Sequence, residues 1–363
     1  MEPLHVSVLS HRKELVTHRL ALVSGAVLVL FSQPTLDDSE QRSIGRGLSV
    51  QPRPELFVET VLVKCSRPGH PSINKTFTFE RVYGPAEPQK EVFGDVHPLL
   101  TSLLDGYNVC IMAYGQTGSG KSYTMLGPHS EEGPVLPLEC HSDLGLVPRA
   151  TEELFRLISE NPSRKAKVEV SIVEVYNNDV FDLLAEDTCT ALPGLKCEVL
   201  TTKEGRKEVS PLTCVSVCSA QECMTLVGAG LQLRATRATA VHAHSSRSHL
   251  IITVTLTTAP YCDSSGVSGV TGSALRETSF INRSLAALAD VLGALSERRG
   301  HIPYRNSKLT HMLQGALGGD AKLLVILCVS PCQKHVAETL QSLGFGARAR
   351  QAERGRPVPR KPQ

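Results

Sequence analysis

Gly115-Gln116-Thr117-Gly118-Ser119-Gly120-Lys121-Ser122 fits the pattern G-x-x-x-x-G-K-[ST], and its flanks decide how it is read. Before it, Tyr107-Asn108-Val109-Cys110-Ile111-Met112-Ala113-Tyr114 is apolar enough for a buried strand. After it, Tyr123-Thr124-Met125-Leu126 suits a first helical turn. A strand feeding a glycine-rich turn into a helix is the context that makes the pattern a phosphate-binding loop. Glycines let successive backbone N–H groups turn inward as a nest for phosphate oxygens, and a helix start adds positive potential. In this reading Gly115, Gln116, Thr117, Gly118, Ser119 and Gly120 cradle the phosphates. Lys121 reaches the β- and γ-phosphates, and the Ser122 hydroxyl sits on Mg²⁺. A glycine-rich turn without the Lys-Ser pair would be read as an ordinary loop.

Outward from this stretch, strand and helix patterns alternate. Leu56–Val63 and Thr76–Tyr83 read as strands, the second stopping at Gly84-Pro85. Glu91–Leu104 and Glu152–Glu160 read as helices, Val168–Tyr176 as a strand, and Asn178–Leu184 as a helical turn. Ala220–Thr236 is an amphipathic helix and His249–Thr257 a β-branched strand. Glu277–Ser296 and Lys308–Leu317 read as helices, and Leu323–Val329 is a continuous apolar strand. Unbroken apolar strands are buried on both faces. The pattern predicts an α/β fold with a central, mostly parallel β-sheet flanked by helices on both faces.

The N-terminal stretch Met1–Val23 reads as weakly helical and has no heptads, so no coiled coil is expected in this chain. Leu20–Phe31 is apolar and follows Arg12, Lys13 and Arg19, in the manner of a signal-peptide core. It is too short to span a bilayer and no small-x-small cleavage site follows, so a buried first strand is the better reading. From Gly355 the chain is Pro- and Arg/Lys-rich, as a disordered tail is. The expected organisation is an N-terminal segment over 1–24, a globular domain over 25–350 that is clearest from 75, and a basic tail over 351–363.

Composition narrows the partners. A formal net charge of +2 over 363 residues lacks the basic excess of a nucleic-acid binder. With no Trp and 4% aromatic residues, a base-stacking surface is not expected either. Among the eleven cysteines, neither Cys214, Cys218 and Cys223 nor Cys328 and Cys332 has zinc-type spacing. They read as reduced thiols of a cytosolic protein.

Five segments, in order, resemble the kinesin motor domain family. Asp105–Cys110 through Tyr114–Lys121 is similar to its phosphate loop. Glu174-Val175-Tyr176-Asn177-Asn178-Asp179-Val180-Phe181-Asp182-Leu183-Leu184 resembles its E-x-Y-N-E-x-x-x-D-L-L segment. Ser245-Ser246-Arg247-Ser248-His249 matches its nucleotide-sensing first switch. Phe280-Ile281-Asn282-Arg283-Ser284-Leu285 and Pro303-Tyr304-Arg305-Asn306-Ser307-Lys308-Leu309-Thr310 resemble its tubulin-facing helix and loop. The likeness covers roughly Phe77–Arg350 and is similar to the C-terminal-motor, minus-end-directed class.

The resemblance implies a P-loop NTPase that uses ATP and Mg²⁺ to move along microtubules, in the cytoplasm and cytoskeleton, at spindle poles or the centrosome. Ser245 and Ser246 would approach Mg²⁺ and the γ-phosphate, and Arg247 would pair with a glutamate of the second switch. Tyr304, Arg305 and Lys308, helped by Arg298 and Arg299, would lie on the tubulin-binding face. Basic clusters there suit the acidic surface of a microtubule. Read alone, Arg298-Arg299 would be a solvated helix end.

The sequence departs from the family most in what it lacks. Kinesins carry a strand ending in an Asp-Leu-Ala-Gly-Ser-Glu type segment, the second switch, between the first switch and the helix at Phe280. Here that interval opens with the strand after His249 and continues as Ala259-Pro260-Tyr261-Cys262, which cannot be a central strand because proline cannot donate to a ladder. Asp263-Ser264-Ser265-Gly266 fits a bare D-x-x-G, making Asp263 a candidate Mg²⁺ ligand, but no glutamate stands in the latch position. The expectation is therefore a sheet short of one interior strand and an Arg247 without its partner. Ser32-Gln33-Pro34 also stands where the family has R-x-R-P against the adenine, and His242 replaces an asparagine before Ser245. Two functions follow: an ATP-driven microtubule motor, or a nucleotide- and microtubule-binding adaptor with crippled hydrolysis. An unrelated P-loop kinase or GTPase is a weaker third.

Overall fold

The computed structural model describes residues 16–23, 29–31, 48–53, 58–65, 73–84, 86–128, 143–160, 166–185, 194–201, 207–241, 248–258, 280–318, 321–330 and 332–351. The stretch from Gly355 expected to be a disordered tail and the residues Ser245, Ser246, Arg247, His242 and Asp263 lie outside them.

The chain opens with strands β1 (Val16–Val23), β2 (Val29–Phe31), β3 (Leu48–Arg53), β4 (Val58–Cys65), β5 (Ile73–Phe79) and β6 (Val82–Tyr83). Helix α1 (Gln89–Leu104), strand β7 (Asn108–Tyr114), and helices α2 (Lys121–Leu126) and α3 (Leu146–Ser159) follow. Then come β8 (Ala166–Tyr176), β9 (Asp179–Asp182), β10 (Leu195–Thr201), β11 (Lys207–Ser210) and β12 (Val215–Val217). Helix α4 (Ala220–Val241), strand β13 (His249–Thr258) and helices α5 (Phe280–Ser296), α6 (Lys308–Met312) and α7 (Gln314–Gly318) lead to β14 (Ala321–Val329) and α8 (Val336–Gln351).

The large sheet runs β11-β10-β9-β8-β13-β1-β7-β14-β2-β6, with β12 beside β8; β3, β4 and β5 form a separate antiparallel sheet. Helices α1 to α4 pack on one another in one layer and α5 to α8 in another, each against the sheet. The α/β architecture matches the expectation, but parallel pairing is confined to the half around β7, where β1, β14, β2 and β6 run alike. From β13 through β11 every pairing is antiparallel. The tight β8–β9 turn forces antiparallel pairing there, whereas β6 and β7 are joined by a crossover through α1.

One hairpin corrects the sequence reading directly. Asn178–Leu184 is not helical: Asn177 and Asn178 adopt left-handed φ values of 53° and 62°, and β9 folds back on β8. Two consecutive left-handed residues are what a type I′ turn needs, and asparagine tolerates them. The N-terminal reading is corrected as well. Residues 16–23 are strand, not helix, and Leu20–Phe31 divides between β1 and β2, which β7 and β14 separate.

That division also corrects the expected gap. β1 lies between β13 and β7, antiparallel to the first from Val16↔Thr258 to Val23↔Ile251 and parallel to the second from Leu20↔Val109 to Val23↔Met112. The interior of the sheet is thus continuous among the described residues, closed by a strand from the other end of the chain.

Candidate functional site

Strand β7 is buried from Val109 through Ala113 and ends at the glycine-rich stretch, which passes straight into α2. Two glycines there are dictated by space and backbone. A Cβ on Gly115 would lie 2.1 Å from the Cys328 carbonyl oxygen of β14, so the loop leaves the sheet through a gap only glycine fits. Gly120, the residue before α2, has a left-handed φ of 91°. Ser119 is buried, and its hydroxyl donates to the Gln116 carbonyl at 2.8 Å, closing the turn on itself. Thr124 ties the start of α2 down by donating to the Gly120 carbonyl at 2.9 Å.

Lys121 lies along the loop and donates its ammonium to the carbonyls of Gly115 at 2.9 Å and Gln116 at 2.6 Å. Burial pushes its pKa below the usual lysine value, and the Arg234 charge acts in the same direction, while Cys328 opposes them. A cation held on two weak carbonyl acceptors has much to gain from an anion. Gln116 adds a second signal: its Oε1 is buried without a partner among the described residues, while its Nε2 meets His335 Nδ1. An inward-turned loop, a partly desolvated ammonium and an orphaned polar atom fit a nucleotide phosphate. Mg²⁺ fits less well. The exposed Ser122 hydroxyl is available, but no group of three or more His, Cys, Asp or Glu side chains poised for a metal exists among the described residues.

Beside the loop, a largely apolar pocket is lined by Ser122, Met125, Leu126, Arg234, Leu250 and Ile252. Arg234, from α4, organises its wall. It donates from Nη2 to Ser248 Oγ at 2.9 Å and to the Ser248 carbonyl at 3.3 Å, and its Nε lies 3.4 Å from Glu174 Oε1. Ser248, which follows the stretch read as the first switch, is thereby fastened to both α4 and β8. His249 Nε2 lies 2.8 Å from Ser284 Oγ on α5. Desolvation, then the Arg234 and Lys121 charges, pushes the His249 pKa down to about 4, so the ring is neutral near pH 7. A hydrogen bond thus links the strand after the stretch read as the first switch to the helix read as tubulin-facing. On the other side, Tyr114 stacks on Phe345 of α8 at 3.8 Å between ring centres and 7° between planes.

The sequence reading did not single out Arg234 or the His249–Ser284 contact. Glu174 carried the available signal: a carboxylate within a strand of this apolar character requires a buried cation. Its partner stands 60 residues away in the chain, and nothing local announces it.

The basic residues read as tubulin-facing come together at the end of α5 and the turn before α6, but in different environments. Arg298, with a left-handed φ of 52°, Arg299 and Arg305 are exposed. Arg299 pairs with Glu297 at 2.6 Å. Tyr304 is half-buried: its carbonyl accepts from Thr310 at 2.7 Å, and its hydroxyl reaches so close to Gly318 that a Cβ there would be 2.9 Å away. Lys308 lies between Glu198 at 2.8 Å and Asp179 at 3.6 Å, and its backbone N–H donates to Asn178 Oδ1 at 2.8 Å. Tyr304 and Lys308 therefore hold the turn together, and the exposed charge is arginine.

The family model for the kinesin motor domain matches residues 37–352. A curated relative, kinesin-like protein KIF25 of Macaca fascicularis, is 63% identical over 358 residues, covering 82% of this chain and 61% of the relative. The human kinesin-like protein KIF25 is 59% identical over 343 residues, covering 78% of this chain and 89% of the relative. The chain thus spans about three-fifths of the macaque relative's length and most of the human one's. Among solved structures, that of a fast kinesin superposes with a TM-score of 0.73 at 31% identity, covering 93% of this chain and 94% of the other. The C-terminal motor and motor homology domain of Kar3Vik1 gives 0.68 at 30% identity, covering 91% and 84%. This chain belongs to the kinesin motor domain family.

Proposed function

We propose that this chain is a microtubule-based motor whose ATP turnover is coupled to movement toward the minus end. Kinesin motor domains are microtubule-stimulated ATPases. The observation that carries the reading is the path from the phosphate loop to the basic turn. Lys121 sits beside Arg234, Arg234 holds Ser248, and His249 is bonded to Ser284 of α5, the helix that leads to Arg298, Arg299 and Arg305. ATP is the substrate. Gly115–Ser122 cradles its phosphates, with the Lys121 ammonium on the β- and γ-phosphates and the Ser122 hydroxyl toward Mg²⁺. Bound Mg²⁺ would neutralise phosphate charge. Ser245, Ser246 and Arg247 close the first switch over the γ-phosphate, and Arg298, Arg299, Tyr304, Arg305 and Lys308 form the microtubule side. The minus-end direction and the C-terminal-motor class rest on likeness to relatives such as the Kar3Vik1 C-terminal motor. Spindle poles or the centrosome are the proposed location on the same ground.

One observation favours a second reading, a nucleotide- and microtubule-binding adaptor with impaired hydrolysis. The strand beside β7, Val16-Thr17-His18-Arg19-Leu20-Ala21-Leu22-Val23, contains no carboxylate. Asp263 remains a candidate Mg²⁺ ligand on sequence alone. Steady-state ATP turnover, measured with and without microtubules, separates the two. Strong stimulation supports the motor, and microtubule binding without turnover supports the adaptor. Plus-end gliding on a coated surface would overturn the direction.

A further inference from the structure

The slot between β13 and β7 is the most demanding position in the sheet. β13 is paired along its other edge with β8, and β7 with β14, so one strand must satisfy two facing ladders at once. The two ladders run in opposite directions, so the filling strand has to be antiparallel to one and parallel to the other. β1 meets that condition over Val16–Val23 against β13 and Leu20–Val23 against β7. The surroundings are dry: Leu256 and Ile111 are 0% exposed, and Ile252, Val254, Val109 and Met112 at most 2%. Water cannot stand in for a missing partner there, and each orphaned N–H or C=O would carry its desolvation cost.

We propose that the β13–β7 slot is a strand-accepting site and that Val16–Val23 is its donor strand. It takes the interior place that the kinesin resemblance assigns to a segment between β13 and α5. The segment suits the position: V-T-H-R-L-A-L-V has no proline to break the ladder and no glycine to weaken it. The link to β2 suffices. Three inter-strand spacings of about 4.8 Å separate β1 from β2, and residues 24–28 reach about 20 Å when extended. The register is set by the two ladders, because a one-residue slip would exchange the two faces of the strand. The donor restores the pairing of the sheet and brings no carboxylate with it. The inference rests on strand pairing alone and stands whether the chain is a motor or an adaptor.

Engineered disulfides in the full-length chain test the register. Two variants, Arg19→Cys/Thr255→Cys and Leu20→Cys/Val254→Cys, place cysteines at successive cross-strand pairs, one of which has the closer spacing that a disulfide accepts. Thr253→Cys/Ser171→Cys and Ile252→Cys/Ile172→Cys are the controls across β13 and β8. Mild oxidation and peptide mapping should find the designed bond in one variant of each set. A bond in the control set with none in the β1 set would overturn the proposal. Ala21→Pro supplies a second reading. Hydrogen exchange in residues 251–256 and 109–112 should rise about 100-fold, while the β8–β9 hairpin changes only a few-fold. A synthetic peptide of residues 16–23 should slow it again. Unchanged exchange in β13 and β7 would overturn the proposal, and should protection vanish everywhere, the disulfides alone decide.

Discussion

Replacing Arg234 with methionine would remove the guanidinium while keeping most of the side chain's bulk. Arg234 and Glu174 side chains are only 14% and 7% exposed, so the variant takes a cation away from a carboxylate in a mostly dry environment. Removing one member of a buried pair costs about 3–5 kcal/mol. The Nε–Oε1 distance of 3.4 Å is long for a charge-assisted bond, which points to the lower end, about 3 kcal/mol. Loss of the two Nη2 bonds to Ser248 adds about 1 kcal/mol. The expected total is about 4 kcal/mol, read from urea denaturation with an unchanged m-value. The double variant Arg234→Met/Glu174→Gln, which removes both charges, should recover most of it and lie about 1–2 kcal/mol below the wild type. If the single variant loses less than 1 kcal/mol, or the double is no better than the single, then Arg234 does not hold the wall of the site and the reasoning is wrong.

Other consequences are directly measurable. His249 has a folded pKa of about 4, below the unfolded value of about 6.5. The unfolded chain therefore takes up this proton first, and stability falls as pH drops from about 6.5 toward 4. Partial solvent contact of His249 leaves about 1–2 kcal/mol of this effect, which His249→Gln should remove in denaturation curves across that window. Burial raises the Cys328 and Cys223 thiols to about 11, while Cys214 and Cys218 are exposed, so iodoacetamide at pH 8 should label Cys214 and Cys218 at least 10-fold faster. Arg305→Ala should weaken microtubule binding, more at low salt than at high, with stability within about 0.5 kcal/mol of wild type. Lys308→Met, which breaks contacts to Glu198 and Asp179, should instead cost about 1 kcal/mol of stability.

What could be read from the sequence was whatever local chemistry dictates. The phosphate loop was legible because Gly115 and Gly120 are demanded by space and backbone within one short stretch. Strands β13 and β14 announced themselves by β-branched and apolar runs, and β8 by alternation of valines with polar residues. The Asn177-Asn178 turn was misread because Val180, Phe181, Leu183 and Leu184 are spaced as on one face of a helix. Only the left-handed asparagines, visible once β9 is laid on β8, decide otherwise. β1 was only half legible, Leu20–Val23 within the stretch read as a buried strand and Val16–Arg19 within one read as weakly helical. Its eight residues have mixed periodicity, and the ladders that make them a strand belong to residues 109–112 and 251–258. Arg234 and Glu174, and His249 and Ser284, pair across the fold, and local patterning holds no trace of such contacts.

The central claim is that a triphosphate held by Gly115–Ser122 is sensed at the microtubule face, and it can be tested without hydrolysis. Co-sedimentation with microtubules, run with a non-hydrolysable ATP analogue and with ADP, should give a dissociation constant at least 5-fold lower for the triphosphate, a coupling of about 1 kcal/mol. Lys121→Ala should make the two nucleotides equivalent. Equal microtubule affinity with both nucleotides in the wild-type chain would contradict the claim.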